Sequence, residues 1–146
     1  MLGTLLGEEV VHVFRSIKEI NQDTGINTAS ATIECPGRKL EGDASIAAED
    51  RQVKTVPVRI TVAGIGKDVG FVGFNVEMLT EIGMAVKAAS PFRHTFIITH
   101  CNGSSGYLPP AELYKEGGYE IDATPFEPGS AEMVIKETLR MLYDLK

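Results

Sequence analysis

The chain has 146 residues, 43% of them apolar, with 14 basic against 20 acidic side chains and a net charge of −6. A chain of this length buries roughly 70% of its unfolded surface, enough for one core without staples, so residues 1–146 read as a single domain. The basic residues form no cluster that could follow a phosphate backbone, which excludes nucleic acid as a partner, and no run approaches about 18 apolar residues, which excludes a transmembrane segment.

Leu2, Leu6, Val10, Val13, Phe14 and Ile17 recur at helical spacing, with Glu8, Glu9, Arg15 and Glu19 opposite, which predicts an amphipathic helix over 2–20. Met1–Gly7 lacks a cationic leader and its apolar run is too short for a signal peptide, so the protein is expected to be soluble. Asn21–Gly25 reads as a turn. The alternation of Ala31, Ile33 and Cys35 with Thr32 and Glu34 predicts a half-exposed strand over 27–35, closed by Pro36-Gly37. Residues 38–53 show charge without periodicity and read as an excursion or flexible loop. Val56, Val58, Ile60 and Val62 alternate with polar residues in a strand over 55–65, which a hairpin at Gly66-Lys67-Asp68 joins to a strand over 69–74. Asn75 is placed to cap a helix over 76–89, whose Met78, Leu79, Ile82, Ala85, Val86 and Ala89 fill one arc. The apolar run Phe96-Ile97-Ile98 predicts a strand over 94–100 covered on both faces, hence central. Pro110 and Gly117-Gly118 bracket a two-turn helix, and Ser130 starts a last helix whose Val134, Ile135, Leu139, Leu142 and Leu145 face inward. The fold expected is mixed α/β, with helices 2–20, 76–89 and 130–145 packed on a sheet around strand 94–100.

Gly64–Gly70 has the wrong spacing for a phosphate-binding glycine loop and leads into a strand instead of a helix. Cys35 and Cys101 sit in strand-like surroundings and read as small core residues, unpaired. His94 and His100 are six apart, which on a regular strand separates them by about 20 Å, too far for one ion. His100 still stands at the strand's end beside the polar loop Asn102-Gly103-Ser104-Ser105-Gly106-Tyr107, whose amide, hydroxyl and phenol groups suit a binding surface. His100, Asn102 and Ser104 are therefore the candidate substrate-binding residues. No acid or base lies in the loop to activate a serine, and no G-x-S-x-G elbow is present, so serine-nucleophile chemistry is not expected. Glu77, in the first turn of the expected helix, either complements the helix dipole or aims a carboxylate at that loop.

The stretch Val72–Phe92, VGFNVEMLTEIGMAVKAASPF, together with Ser90–Glu120 resembles the end of the catalytic domain of neutral/alkaline (non-lysosomal) ceramidase-like proteins. The resemblance covers most of the chain and is strongest over 70–145. It implies a zinc-dependent amide hydrolase acting on N-acyl sphingoid substrates. Gly73-Phe74-Asn75-Val76-Glu77 matches the family's G-L-P-G-E, which makes Glu77 the position of a zinc ligand. The family's N-x-Y-x-x-Y is matched by Asn102 through Tyr107, with Ser104 where a ligating tyrosine stands and Tyr107 as the second aromatic. Tyr107 is the other candidate metal residue. The two zinc-binding histidines of the family belong to a long upstream portion, so the resemblance implies a fragment, inactive alone and holding zinc weakly or not at all. Its expected partner is the missing N-terminal portion, or another copy of itself. The alternative is a non-catalytic domain that binds a small molecule or protein through the 101–107 loop.

Overall fold

The computed structural model describes residues 1–20, 24–38 and 55–146. Helix α1 spans Leu2–Ser16. Strands β1 (Ile26–Pro36), β2 (Thr55–Ile65) and β3 (Val69–Phe74) follow, then a two-residue strand β4 (Glu77–Met78) and helix α2 (Thr80–Ala89). Strand β5 (His94–Ile98), a second two-residue strand β6 (Tyr107–Leu108), a 3₁₀ turn Ala111–Lys115, and helices α3 (Tyr119–Ala123) and α4 (Ser130–Leu145) complete the order. The excursion expected over 38–53 lies almost entirely outside the described residues.

Four strands form a sheet in the order β1-β2-β3-β5, antiparallel except for the last pair, so the mixed α/β class is as expected. The β2–β3 hairpin turns at Gly66, whose φ of 57° is left-handed, a conformation that glycine adopts without a Cβ penalty. Along β2 the burial alternates residue by residue, and Val56, Val58, Ile60 and Val62 all face one side. The register puts Val72 and Phe74 of β3 and Ile33 and Cys35 of β1 on that side. Helix α4 lies over β1 and β2 and inserts Val134, Met141 and Leu142, while α2 packs on α4 and β5 through Ile82 and Val86. Full burial of each such side chain favours folding by about 1.5–3 kcal/mol, and this single layer of contacts makes the core.

Four expectations are corrected. Strand 94–98 is at the sheet's edge among the described strands, not at its centre, and Phe96 and Ile98 are about half exposed. Its apolar run signals a surface that favours burial but does not say which chain covers it. Helix α1 buries none of its residues, so it does not pack on the sheet. Helix α2 starts at Thr80, two residues past the end of β4, because 77–78 pairs in parallel with β6 instead of winding. The segment between Pro110 and Gly117 is a 3₁₀ turn over Ala111–Lys115, followed by the short helix α3.

The segment after β6 is tied back to the end of β1. Arg38 donates its backbone N–H to Pro125 O and its guanidinium to Ile121 O, and it lies over the ring of Tyr114. Glu127 donates to Pro36 O, and the Tyr114 hydroxyl donates to Phe126 O. These bonds fix the platform against which β6 is laid.

Candidate functional site

After β5 the chain doubles back along the β3–β4 segment, and the backbone bonds of that return build the site. His100 donates its N–H to Val76 O at 3.2 Å, Cys101 to Phe74 O at 2.7 Å and Ser105 to Asn75 O at 2.6 Å. In the other direction Glu77 donates to Gly106 O and Leu79 to Leu108 O. The loop from Thr99 to Gly106 is therefore clamped at both ends, with Glu77 opposite Tyr107 in the β4–β6 register.

Close approach demands small residues here. A Cβ on Gly73 would lie 2.6 Å from the Cys101 sulfur, so the loop sits over the bare backbone of β3. Gly106 combines a φ of 87° with a neighbour, Pro125, that would meet its Cβ at 2.9 Å. His100 and Asn102 take left-handed φ values of 51° and 63°, which histidine and asparagine tolerate better than most residues. The regular strand ends at Ile98, so the spacing that separates His94 from His100 along an ideal strand no longer applies at His100. Cys35 is in the core and unpaired as expected, whereas Cys101 is half-buried on the opposite face of the sheet.

Asn75, expected as a helix cap, instead anchors the loop. Its amide oxygen accepts from Arg59 N–H at 2.7 Å, and its nitrogen donates to Ser105 Oγ at 2.9 Å. Ser105 Oγ in turn donates to Pro57 O. Ser105 is thus structural, a role that its place in a polar loop did not reveal, because the partner strand is far away in the sequence.

Three functional groups converge. The Nε2 of His100 lies 3.0 Å from Oε2 of Glu77, and both side chains are about half exposed. With the ionised carboxylate accepting, Nε2 carries the proton. Tyr107 stands beside Glu77 in the β4–β6 register; its partial burial, then the negative charge of Glu77, push the phenol pKa above the ordinary value. Thr124 holds Tyr107 by donating to its carbonyl at 2.7 Å, and the Tyr119 ring meets the Tyr107 ring edge-on. Asn102 is turned toward the sheet, where its amide reaches Thr61 Oγ1 at 3.5 Å, and Ser104 is exposed on the loop. Of the sequence candidates, Glu77, His100 and Tyr107 come together and Asn102 and Ser104 stand apart from them.

Carboxylate, imidazole and phenol are oxygen and nitrogen donors of kinds that suit zinc, so the residues fit one side of a zinc site. Among the described residues no group of three or more His, Cys, Asp or Glu side chains converges, so a cage of those residues alone is absent there. A groove of about 250 Å3 is lined by Met78, Leu79, Gly83, Met84, Ile97 and Thr99, of which Met78 and Thr99 are the sequence neighbours of Glu77 and His100. No helix among the described residues is long and apolar enough to cross a membrane.

No protein-family model and no curated protein matches the sequence. Among solved structures the chain is similar to one described as ceramidase complexed with C2, at 24% identity and a TM-score of 0.55, over 61% of this chain and 15% of that one. It is also similar to neutral ceramidase from Pseudomonas aeruginosa, at 16% identity and a TM-score of 0.58, over 82% of this chain and 28% of that one. The chain spans less than a third of the length of either protein. At these identities the likeness shows that the chain has a ceramidase-like fold.

Proposed function

We propose that this polypeptide is a portion of a ceramidase-like, zinc-dependent amide hydrolase, and that it contributes Glu77 and Tyr107 to the metal site. The observation that carries the reading is that Glu77 and Tyr107 are neighbours across a two-residue parallel pairing, in a chain with a ceramidase-like fold. The small share of each ceramidase that the chain spans supports a longer polypeptide, whose further portion supplies the remaining ligands. Bound zinc would supply a hydroxide at neutral pH and polarise the amide carbonyl. The chain's own residues hold and shape the site. Glu77 presents its carboxylate from a strand that is hydrogen-bonded to the loop, and Thr124 fixes the backbone of Tyr107. The groove lined by Met78, Met84 and Ile97 receives a hydrocarbon portion of the substrate, and the exposed Ser104 is the loop residue left free to meet its polar part.

The test is the coding sequence upstream of residue 1 and the activity of its product. A longer reading frame with histidines at strand ends should yield a protein that hydrolyses N-acyl sphingoid substrates. In that protein Glu77→Gln should lower kcat/KM by about 10³ or more, because a lost metal ligand removes interactions made in the transition state. The 146-residue chain alone should show no turnover. Turnover by this chain alone would overturn the fragment reading. A natural start at Met1 with no hydrolysis would favour the non-catalytic domain that binds through residues 101–107.

A further inference from the structure

His100 is not needed to explain any packing in this fold. Its ring is half exposed, and its backbone takes a left-handed φ of 51°. A left-handed backbone is uncommon for a residue other than glycine, though histidine adopts it more readily than most. An exposed polar contact contributes little to stability, so the contact with Glu77 does not by itself account for the turn. What the turn does achieve is positional. It carries the imidazole out of the line of β5 and sets Nε2 3.0 Å from Oε2 of Glu77. Two donors on one tetrahedral zinc, each bonded at about 2.0–2.1 Å, lie about 3.3 Å apart. The observed pair is within about 0.3 Å of that spacing, a change that a small side-chain rotation supplies.

The turn is also held. Backbone bonds from His100 to Val76 and from Cys101 to Phe74 fix the two residues on which the imidazole direction depends. Ser104, by contrast, is exposed on the loop and has a hydroxyl too short to reach far from it. We propose that His100 is a metal ligand of this chain, so that Glu77, His100 and Tyr107 form a three-donor site for a divalent cation of the zinc type, open to water on its exposed side. The inference deepens the function proposed above and rests on its assignment of Glu77. It differs in placing a nitrogen ligand within this chain and not only in a further portion.

The experiment is calorimetric titration of the 146-residue chain with zinc, repeated with cobalt(II) so that visible absorption reports the ligand field. Expected are one cation per chain and an affinity lowered at least about tenfold by either Glu77→Gln or His100→Asn. Asparagine is chosen because it tolerates positive φ, so the turn survives while the imidazole is lost. A thermal melt of each variant establishes that it is folded. His94→Ala should leave the affinity unchanged. Binding weakened by Glu77→Gln but not by His100→Asn would overturn the role of His100 and leave the proposed function standing. Binding untouched by both variants, or absent in the parent chain, would overturn the three-donor site; hydrolysis by the longer protein would then decide the fate of the proposed function separately.

Discussion

Cys35 is fully buried on the inner face of β1, where burial and then the neighbouring Glu34 carboxylate push its thiol from 9.0 up to about 11. The folded state therefore keeps this proton where the unfolded chain loses it. The resulting stability is complete below pH 9 and is lost as the pH rises toward 11. A rise from 9.0 to about 11 corresponds to about 3 kcal/mol. Cys35→Ala should lower stability by about 1 kcal/mol at neutral pH while flattening the alkaline decline relative to the parent, as measured by urea unfolding at a series of pH values. Equal slopes for the two proteins would show that Cys35 does not carry the effect. Comparison with the variant matters because Tyr114, raised chiefly by burial, and Tyr107 also lose stability on the alkaline side. At this scale the sequence was informative about residue types and less so about their partners. Glu77 and Tyr107 were singled out from a motif, and the structure makes them neighbours across the β4–β6 register, which no local signal predicts. Asn75 was read as a cap, because a cap needs only local chemistry, whereas its actual partners, Arg59 and Ser105, are 16 and 30 residues away.

Helix α1 was legible because its apolar positions follow the 3.6 period, and its lack of burial was not, because periodicity describes a face and not what meets it. Leu2, Leu6, Val10 and Phe14 form a stripe that is exposed along its whole length. A helix of 15 residues is marginal in water, and Gly3 and Gly7 each weaken it by about 1 kcal/mol relative to alanine. Deletion of residues 1–20 should therefore leave the thermal midpoint of the remainder within about 2 °C, since no core contact is removed. A fall of more than about 5 °C would show that α1 contributes to the folded core. Helix α4 presents the opposite case. Its period and its outcome agree, with Val134 and Leu142 buried and Ile135, Leu139 and Leu145 packed at the margin. Thr138 is buried as well, and it is accommodated by donating its hydroxyl to Val134 O. The start of α2 was misplaced for a reason specific to the site. Residues 77–78 have an extended partner in β6, a pairing between segments 30 residues apart that local propensity cannot anticipate.

Among the described residues helices cover one face of the sheet, while the other carries only the 99–106 loop over β3. Helices α2 and α4 lie on the inner side, while on the outer side Phe71 and Phe96 stack with ring centroids 5.0 Å apart and Ile98 lies beyond them, half exposed. Strand β5 adds a row of backbone groups without a strand partner on its far side among the described residues. An apolar patch bounded by an open strand edge favours association, because burial and strand pairing are both gained in one contact. If the chain is part of a longer enzyme, this face is where the further portion packs, and in isolation it should pair with another copy of itself. Sedimentation velocity on the purified chain should show reversible association that weakens when Phe96 is changed to Lys. That substitution removes the stacked ring and places a charge on the open edge, yet touches no buried side chain, so the thermal midpoint of the monomer should hold within about 3 °C. A chain that stays monomeric at high concentration would count against both the packing role of this face and the fragment reading that motivates it. A Phe96→Lys variant that associates as strongly as its parent would instead move the contact elsewhere, with the exposed stripe of α1 as the next surface to change.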